Sequence, residues 1–168
     1  KRNGLFYEIN SQTPFSGEAT AYHENGQLLG KKSFKDGREQ ESVMFYKNGQ
    51  LFVTRSFKGD KQDGTWENYY ESGQLEFKKS FKDGLKIGHW EFYYADGQLK
   101  AKESYIDGKQ DGTWEKYYEN GQLEFKKIFM DGKQDGAEEF YYENGQLQIK
   151  GFFKDESDKE TRRNSLRE

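Results

Sequence analysis

His23 and His89 are the only side chains with an ordinary pKa near neutrality, so a general base would have to be one of them. They stand three copies apart in a repeated pattern, on opposite faces of the strands derived below, and cannot cooperate. Each reads as the replacement of a Tyr or Thr at a tolerant position. Carboxylates are plentiful, 30 Asp plus Glu, but they recur in every copy and converge nowhere. A general acid and base pair needs surroundings that drive two pKa values apart, and repetition supplies none. The loop from Asp107 to Gly112, repeated from Asp131 to Gly136 and in degraded form from Gly59 to Gly64, has some of the composition of a calcium site. It lacks the alternating carboxylates and the distal bidentate Glu, so it reads as turn chemistry and no metal site is assigned. No G-x-G-x-x-G or P-loop pattern is present. The expectation is a protein without cofactor or catalytic residues, not an enzyme.

What remains is an aromatic series, Tyr22, Phe45, Tyr69, Tyr93, Tyr117 and Tyr141, with one member four residues before each repeated glycine. Amphipathic aromatics are favoured at interfaces, which makes this row the candidate partner-binding surface. The row can also serve to shield a second sheet face and pack on neighbouring strands, and the two roles are compatible.

The elements that carry the row follow from an internal repeat. Gly-Gln-Leu recurs with its glycine at Gly26, Gly49, Gly73, Gly97, Gly121 and Gly145, a spacing of 23 once and then 24 four times. Periods of this size mark arrays of small supersecondary units. Each middle copy has two turn signals flanking alternating runs, the hairpin signature. Asn-Gly, or Ser72-Gly73 and Asp96-Gly97, is expected to form a two-residue type I′ turn, and the longer Asp-Gly loop closes the other end. That turn sets Tyr70 opposite Leu75, Tyr69 opposite Glu76, Asn68 opposite Phe77 and Glu67 opposite Lys78. Trp66, Tyr70, Leu75, Phe77 and Phe81 then share one face, and Glu67, Tyr69, Glu76 and Lys78 the other. The same arithmetic opposes Glu91 to Lys102, Glu115 to Lys126 and Glu139 to Lys150, a complementarity that supports the register.

The fold class is therefore all-β, an elongated, twisted antiparallel meander of about six β-hairpin repeats over 13–153. Residues 1–12 are read as a capping strand. The charged stretch 154–168 is read as a tail or, from the Ser157 and Glu160 capping box, a short helix from about 158. Single hairpins are marginal in water, so the copies must stack. Low hydropathy would suit a disordered chain, but aromatics at 17% and a single Pro oppose that. The net charge of −3, with acids and bases interleaved, gives neither a nucleic-acid footprint nor a basic membrane stripe, so no nucleic acid is expected and lipid contact is disfavoured. There is no Cys, and no apolar run of membrane-spanning length.

The pattern D-G-x-x-x-G-x-W-x-x-Y-Y-x-N-G-Q-L is complete at Asp107, Gly108, Gly112, Trp114, Tyr117, Tyr118, Asn120, Gly121, Gln122 and Leu123. It resembles the MORN repeat variant found in bacterial proteins labelled YwqK-type antitoxins, and the resemblance spans about 13–153. It implies a meander of antiparallel hairpins, and in many relatives export to the envelope or cell surface, with Pro14-Phe15-Ser16-Gly17 similar to the start of such arrays. Gln40 and Ser42 in copy two, and Ala137 with Glu138 in copy six, depart from the pattern and are expected to disturb packing there. The resulting expectation is a repeat scaffold that binds a protein partner at the cell surface or envelope. An antitoxin or immunity protein, which would be cytoplasmic, is the alternative, and a lipid-contacting scaffold is a third.

Overall fold

The computed structural model describes residues 1–154, so the helix expected from about 158 lies outside the described residues. Within them the chain is all-β and has no helix. Six hairpins follow one another. They are β1 (Gly17–Tyr22) with β2 (Leu28–Lys35), β3 (Arg38–Phe45) with β4 (Leu51–Lys58), and the interrupted β5 (Lys61–Gln62) and β6 (Gly64–Tyr69) with β7 (Leu75–Lys82). Then come β8 (Leu85–Tyr93) with β9 (Leu99–Ile106), the interrupted β10 (Lys109–Gln110) and β11 (Gly112–Tyr117) with β12 (Leu123–Met130), and β13 (Lys133–Tyr141) with β14 (Leu147–Phe153). The strands pair antiparallel in chain order in one open sheet, with β4 pairing both β5 and β6 and β9 pairing both β10 and β11. Residues 1–12 do not form the expected strand. They make a loop held by isolated bridges, Arg2 to Leu5 and Tyr7 to Pro14, that seats Phe6 on Phe34 with ring centroids 4.8 Å apart.

The turn types are the reverse of the expectation. At Asp83-Gly84 both residues are left-handed, with φ of 48° and 87°, and Lys82 faces Leu85 across the turn. This is the two-residue type I′ geometry, and Asp tolerates it better than most residues. The Asn-Gly end is a three-residue loop. The Gly73 N–H donates to the Tyr70 carbonyl at 2.8 Å, the Tyr70 N–H donates to the Gln74 carbonyl, and only Gly73 is left-handed, with φ of 91°. Tyr69 accordingly faces Leu75, not Glu76. Beyond it Asn68 faces Phe77 and Glu67 faces Lys78, as derived from the sequence. Glu76 is a bulge, and this one extra residue cancels the odd residue of the loop. The register is therefore right in the body of the hairpin and wrong at its turn.

The bulge changes which side chains share a face. Leu75, directly opposite Tyr69, lies on the tyrosine side, whereas Glu76 joins Phe77 on the aromatic side, where its carboxylate accepts from the Asn68 amide. A second irregularity separates β5 from β6: Phe57 faces Gln62 and Thr54 faces Glu67, so the first strand gains two residues. Gly64 provides the bend at φ 95°, where a Cβ would press within 3.1 Å of Ser56. In copy two Phe34 faces Glu39 and Ser33 faces Glu41, a gain of one residue without glycine. This is the origin of the single 23-residue spacing.

The core is thin and one-sided. A series of ring contacts crosses the strands, Phe57 to Trp66 (5.3 Å), Phe81, Trp90, Tyr105, Trp114 and Phe129 (5.0 Å from Trp114), and Phe81, Trp90 and Tyr105 are buried. Tilted ring pairs at these separations add to the energy of area burial. The series starts after Ser42 and stops before Glu138, and with Ala19 in copy one these are the three positions where Trp is replaced. In copies two and six the packing is polar: Gln40 Nε2 donates to the Arg38 carbonyl at 3.1 Å, and Glu138 pairs with Lys127 at 3.7 Å.

Trp66 and Trp90 donate their indole N–H to the Ser56 and Ser80 carbonyls at 3.0 and 3.1 Å. The buried Trp114 Nε1 has no hydrogen-bond partner among the described residues. Phe in place of Trp removes similar apolar area at either site but breaks a hydrogen bond only at Trp90. Trp90→Phe is therefore expected to cost about 1 kcal/mol more than Trp114→Phe, read from urea midpoints at unchanged slope.

Candidate binding face

The face opposite the ring series is built from one unit repeated along the sheet. A strand places residues i and i+2 on the same side, so the Tyr69 hydroxyl reaches the Glu67 carboxylate at 2.9 Å, Tyr93 reaches Glu91 at 3.1 Å, Tyr117 reaches Glu115 at 3.0 Å and Tyr141 reaches Glu139 at 2.7 Å. Across the hairpin, lysines close three of these units: Lys78 on Glu67 at 3.3 Å, Lys126 on Glu115 at 3.2 Å and Lys150 on Glu139 at 2.7 Å. Glu91 faces Lys102 in the same register. The expected row is thus present on one face, with its phenols held in place by carboxylates. Tyr22 and Phe45 continue it without a carboxylate partner, Phe45 because it has no hydroxyl, and Tyr22 is 63% exposed.

Reasoning from the sequence missed the second half of this surface. Because of the three-residue loop, Leu28, Leu51, Leu75, Leu99, Leu123 and Leu147 each sit directly opposite a row aromatic. The face carries a stripe of aromatic and leucine pairs flanked by glutamate and lysine pairs. An Asn followed by Gly and Gln, with Asp-Gly elsewhere in the period, was the available signal. The Asn120 carboxamide oxygen accepts the Gln122 N–H at 2.9 Å, an Asx arrangement that opens the loop to three residues.

Electrostatics follow the geometry. Burial, and then the hydrogen bond to Glu67, push the Tyr69 phenol up to about 12. Tyr93 and Tyr117 are raised for the same reasons in the same order. Tyr141 is raised chiefly by its hydrogen bond to Glu139. The Glu139 carboxyl is lowered by the Lys150 and Tyr141 hydrogen bonds.

Repeat is tied to repeat by a second set of tyrosines on the aromatic side. The Tyr46, Tyr70, Tyr94 and Tyr118 hydroxyls donate to the carbonyls of Tyr69, Tyr93, Tyr117 and Tyr141 at 2.7, 2.8, 2.7 and 2.9 Å. His23 occupies the same slot in copy one, its Nε2 3.0 Å from the Phe45 carbonyl. His89 faces Ser104 on the tyrosine side, so the two histidines lie on opposite faces and in separate copies, as derived. Lys79, which the sequence did not single out, lies over the Phe77, Trp90 and Phe92 rings at 4.0, 5.0 and 4.9 Å, and burial lowers its pKa. Lys127 repeats that position over Phe125 and Phe140. A lysine that recurs as a ring cover is explained by cation–π packing.

The Asp-Gly loops use their carboxylates on the backbone: Asp63 and Asp111 accept the N–H groups of Asp83 and Asp131 at 3.0 and 3.1 Å. Among the described residues no group of three or more His, Asp or Glu is placed to hold a metal. A groove of about 250 Å³ on the aromatic side, lined by Tyr70, Phe77, Phe92, Glu76, Glu103 and Lys116, has its charges engaged. Glu103 accepts from Tyr105 at 2.8 Å and Lys116 pairs with Glu124 at 2.8 Å.

A family model described as MORN repeat variant matches five segments, residues 15–36, 62–83, 86–107, 110–131 and 134–155, which together make up more than half of the chain. The stretch between the first two matches contains copy two, with its shorter loop and Ser42 in the Trp slot. No curated protein matches the chain.

The raised phenols have a consequence at high pH. A tyrosine whose pKa is higher folded than unfolded stabilises the fold fully below its unfolded value of 10.0, and that stabilisation is lost as pH rises through the folded value. Thermal stability is therefore expected to fall between pH 10 and about 12. In the absorbance difference between the parent chain and Tyr69→Phe, tyrosinate is expected to appear with a midpoint near 12, and a midpoint near 10 would show that neither burial nor the Glu67 bond holds the phenol.

Proposed function

Because this chain belongs to the MORN repeat variant family, we propose that it is a non-catalytic repeat scaffold that binds a protein partner across the tyrosine and leucine face. The observation that carries this reading is the fixed geometry of that face. Four phenols are held by carboxylates two residues away, so their ordering is achieved before a partner arrives, which favours affinity. Tyrosine is also among the residues that dominate binding energy at interfaces. The opposite face is less suited, since Lys79, Lys86, Lys127 and Arg55 already cover its rings.

The partner is a protein with an extended surface, because the stripe repeats along the sheet and is not concentrated at one point. Interleaved Glu and Lys favour a partner of mixed charge and argue against nucleic acid or an anionic membrane. A place at the cell surface or envelope is supported by the similarity of Pro14-Phe15-Ser16-Gly17 to the start of exported arrays.

The test replaces Tyr69, Tyr93 and Tyr117 together by Ser. Immobilised parent chain is expected to retain a protein from the native envelope or host fraction. The triple variant is expected to lose that capture while its circular dichroism keeps the β signature, and undiminished capture would overturn the reading. A captured protein whose toxicity is relieved on co-expression would identify the partner as a toxin and the scaffold as its antitoxin.

A further inference from the structure

The interior of the array repeats one interface, in which the second strand of a hairpin meets the first strand of the next. Gly30 faces Met44, Val53 faces Asn68, Phe77 faces Phe92, Ala101 faces Lys116 and Phe125 faces Phe140. Extended by one period at each end, the series arrives at Ile149 on β14 and Ala21 on β1, and among the described residues neither has a strand on its outer side. The tyrosine series ends in the same way. Tyr142, which follows Tyr118 in the period, has no hydrogen-bond partner for its hydroxyl among the described residues and is 50% exposed. At the other end no described side chain donates to the Tyr22 carbonyl, the position that accepts a tyrosine hydroxyl at Tyr69, Tyr93, Tyr117 and Tyr141.

We infer that copies of this chain associate head to tail, with β14 of one copy adding antiparallel to β1 of the next, so that Ile149 sits opposite Ala21 and the Tyr142 hydroxyl reaches the Tyr22 carbonyl of the neighbouring copy. The two edges are complementary because each is one half of the interface that the chain already forms five times within itself. Sterics permit the approach: Ala19 and Ala21 on one edge and Gly151 on the other are small, and every residue of β1 is exposed. Charge permits it as well, since the same register places Lys150 opposite Thr20, where the interior has Lys126 opposite Glu139, so no like charges meet. The apolar side chains of β14 lie open, with Leu147 51%, Ile149 55% and Phe152 72% exposed, whereas Leu123, Phe125 and Ile128 in the interior are half-buried. Neither edge strand contains Pro, and each carries a single charged residue, Glu18 on β1 and Lys150 on β14. The N-terminal loop is tied to the Asp-Gly end, where the Phe6 N–H donates to the Gly37 carbonyl; Tyr7, Glu8 and Ile9 line a groove with Ala19, yet every residue of β1 stays exposed. A contact between two different edges is heterologous, so each association leaves one edge of each kind free and growth stays open.

The test is sedimentation of the full chain over roughly a hundredfold range of concentration, because association appears by mass action. The weight-average mass of the parent chain is expected to rise with concentration. Ile149→Lys and Ala21→Glu each place a charge opposite an apolar edge position and are expected to weaken association by roughly tenfold or more. Both positions are exposed, so melting temperatures should confirm that the variants fold. An equal mixture of the two variants is expected to associate again, because the introduced lysine of one then meets the introduced glutamate of the other and the remaining contact is the parent one. A parent chain that stays monomeric throughout would overturn the inference, whether its own residues beyond 154 or nothing at all covers β14. Parent-like association of Ala21→Glu alone would also overturn it, because the contact would then be β14 with β14.

Discussion

Each hairpin depends on its neighbour, because a single one cannot bury its own rings or supply the acceptor for the second tyrosine of its pair. The tyrosine hydroxyl that leaves one repeat ends on a carbonyl of the next, at Tyr69, Tyr93, Tyr117 and Tyr141. The rings continue in the same direction through contacts of 5.0 to 6.1 Å. Two-stranded hairpins are at best marginal in water, and among the described residues no second layer packs on the sheet to complete them. Stability is therefore a nearest-neighbour property. The glutamine of the Gly-Gln-Leu motif belongs to the same transfer. The side chain of Gln50 lies where a Cβ on Gly73 would come within 2.9 Å of it, and Gln122 stands in the same relation to Gly145 at 2.8 Å. Glycine is favoured there by its left-handed backbone, with φ of 91° at Gly73 and 80° at Gly145, and the glutamine end is flexible enough to adjust around it.

The one-sidedness of the core separates scaffold from surface. On the aromatic side, rings pack edge to tilted edge under lysine covers, which commits their apolar area to cohesion between repeats. On the tyrosine side, the rings are held by hydrogen bonds to carboxylates in their own strand, which requires no contact with the next repeat. The first arrangement builds the array, and the second leaves a pre-ordered stripe for another molecule. Copies two and six show what happens when the aromatic slot is lost. Ser42 and Glu138 replace Trp, the ring series ends, and the strand pairing continues without it, with Glu138 paired to Lys127 across the strands.

The amino-acid sequence alone determined the period, the all-β class, the six hairpins and the pairing of Glu67 with Lys78, Glu115 with Lys126 and Glu139 with Lys150. It also identified the aromatic row from Tyr22 to Tyr141. All of these rest on local chemistry, namely turn dipeptides, alternation and opposed charges. Only the tertiary structure decided which turn is which, on which face the leucines stand, and where the second tyrosine of each pair sends its hydroxyl. The reason is that the strand period is two, so one residue more or fewer at a turn reverses every face assignment up to the next bulge. The extra loop residue at Gly73 and the bulge at Glu76 cancel within a few positions, which kept Glu67 opposite Lys78 and moved Leu75 beside Tyr69. Neither irregularity alters composition or spacing, so the pairing of strands in the folded sheet was needed to reveal them.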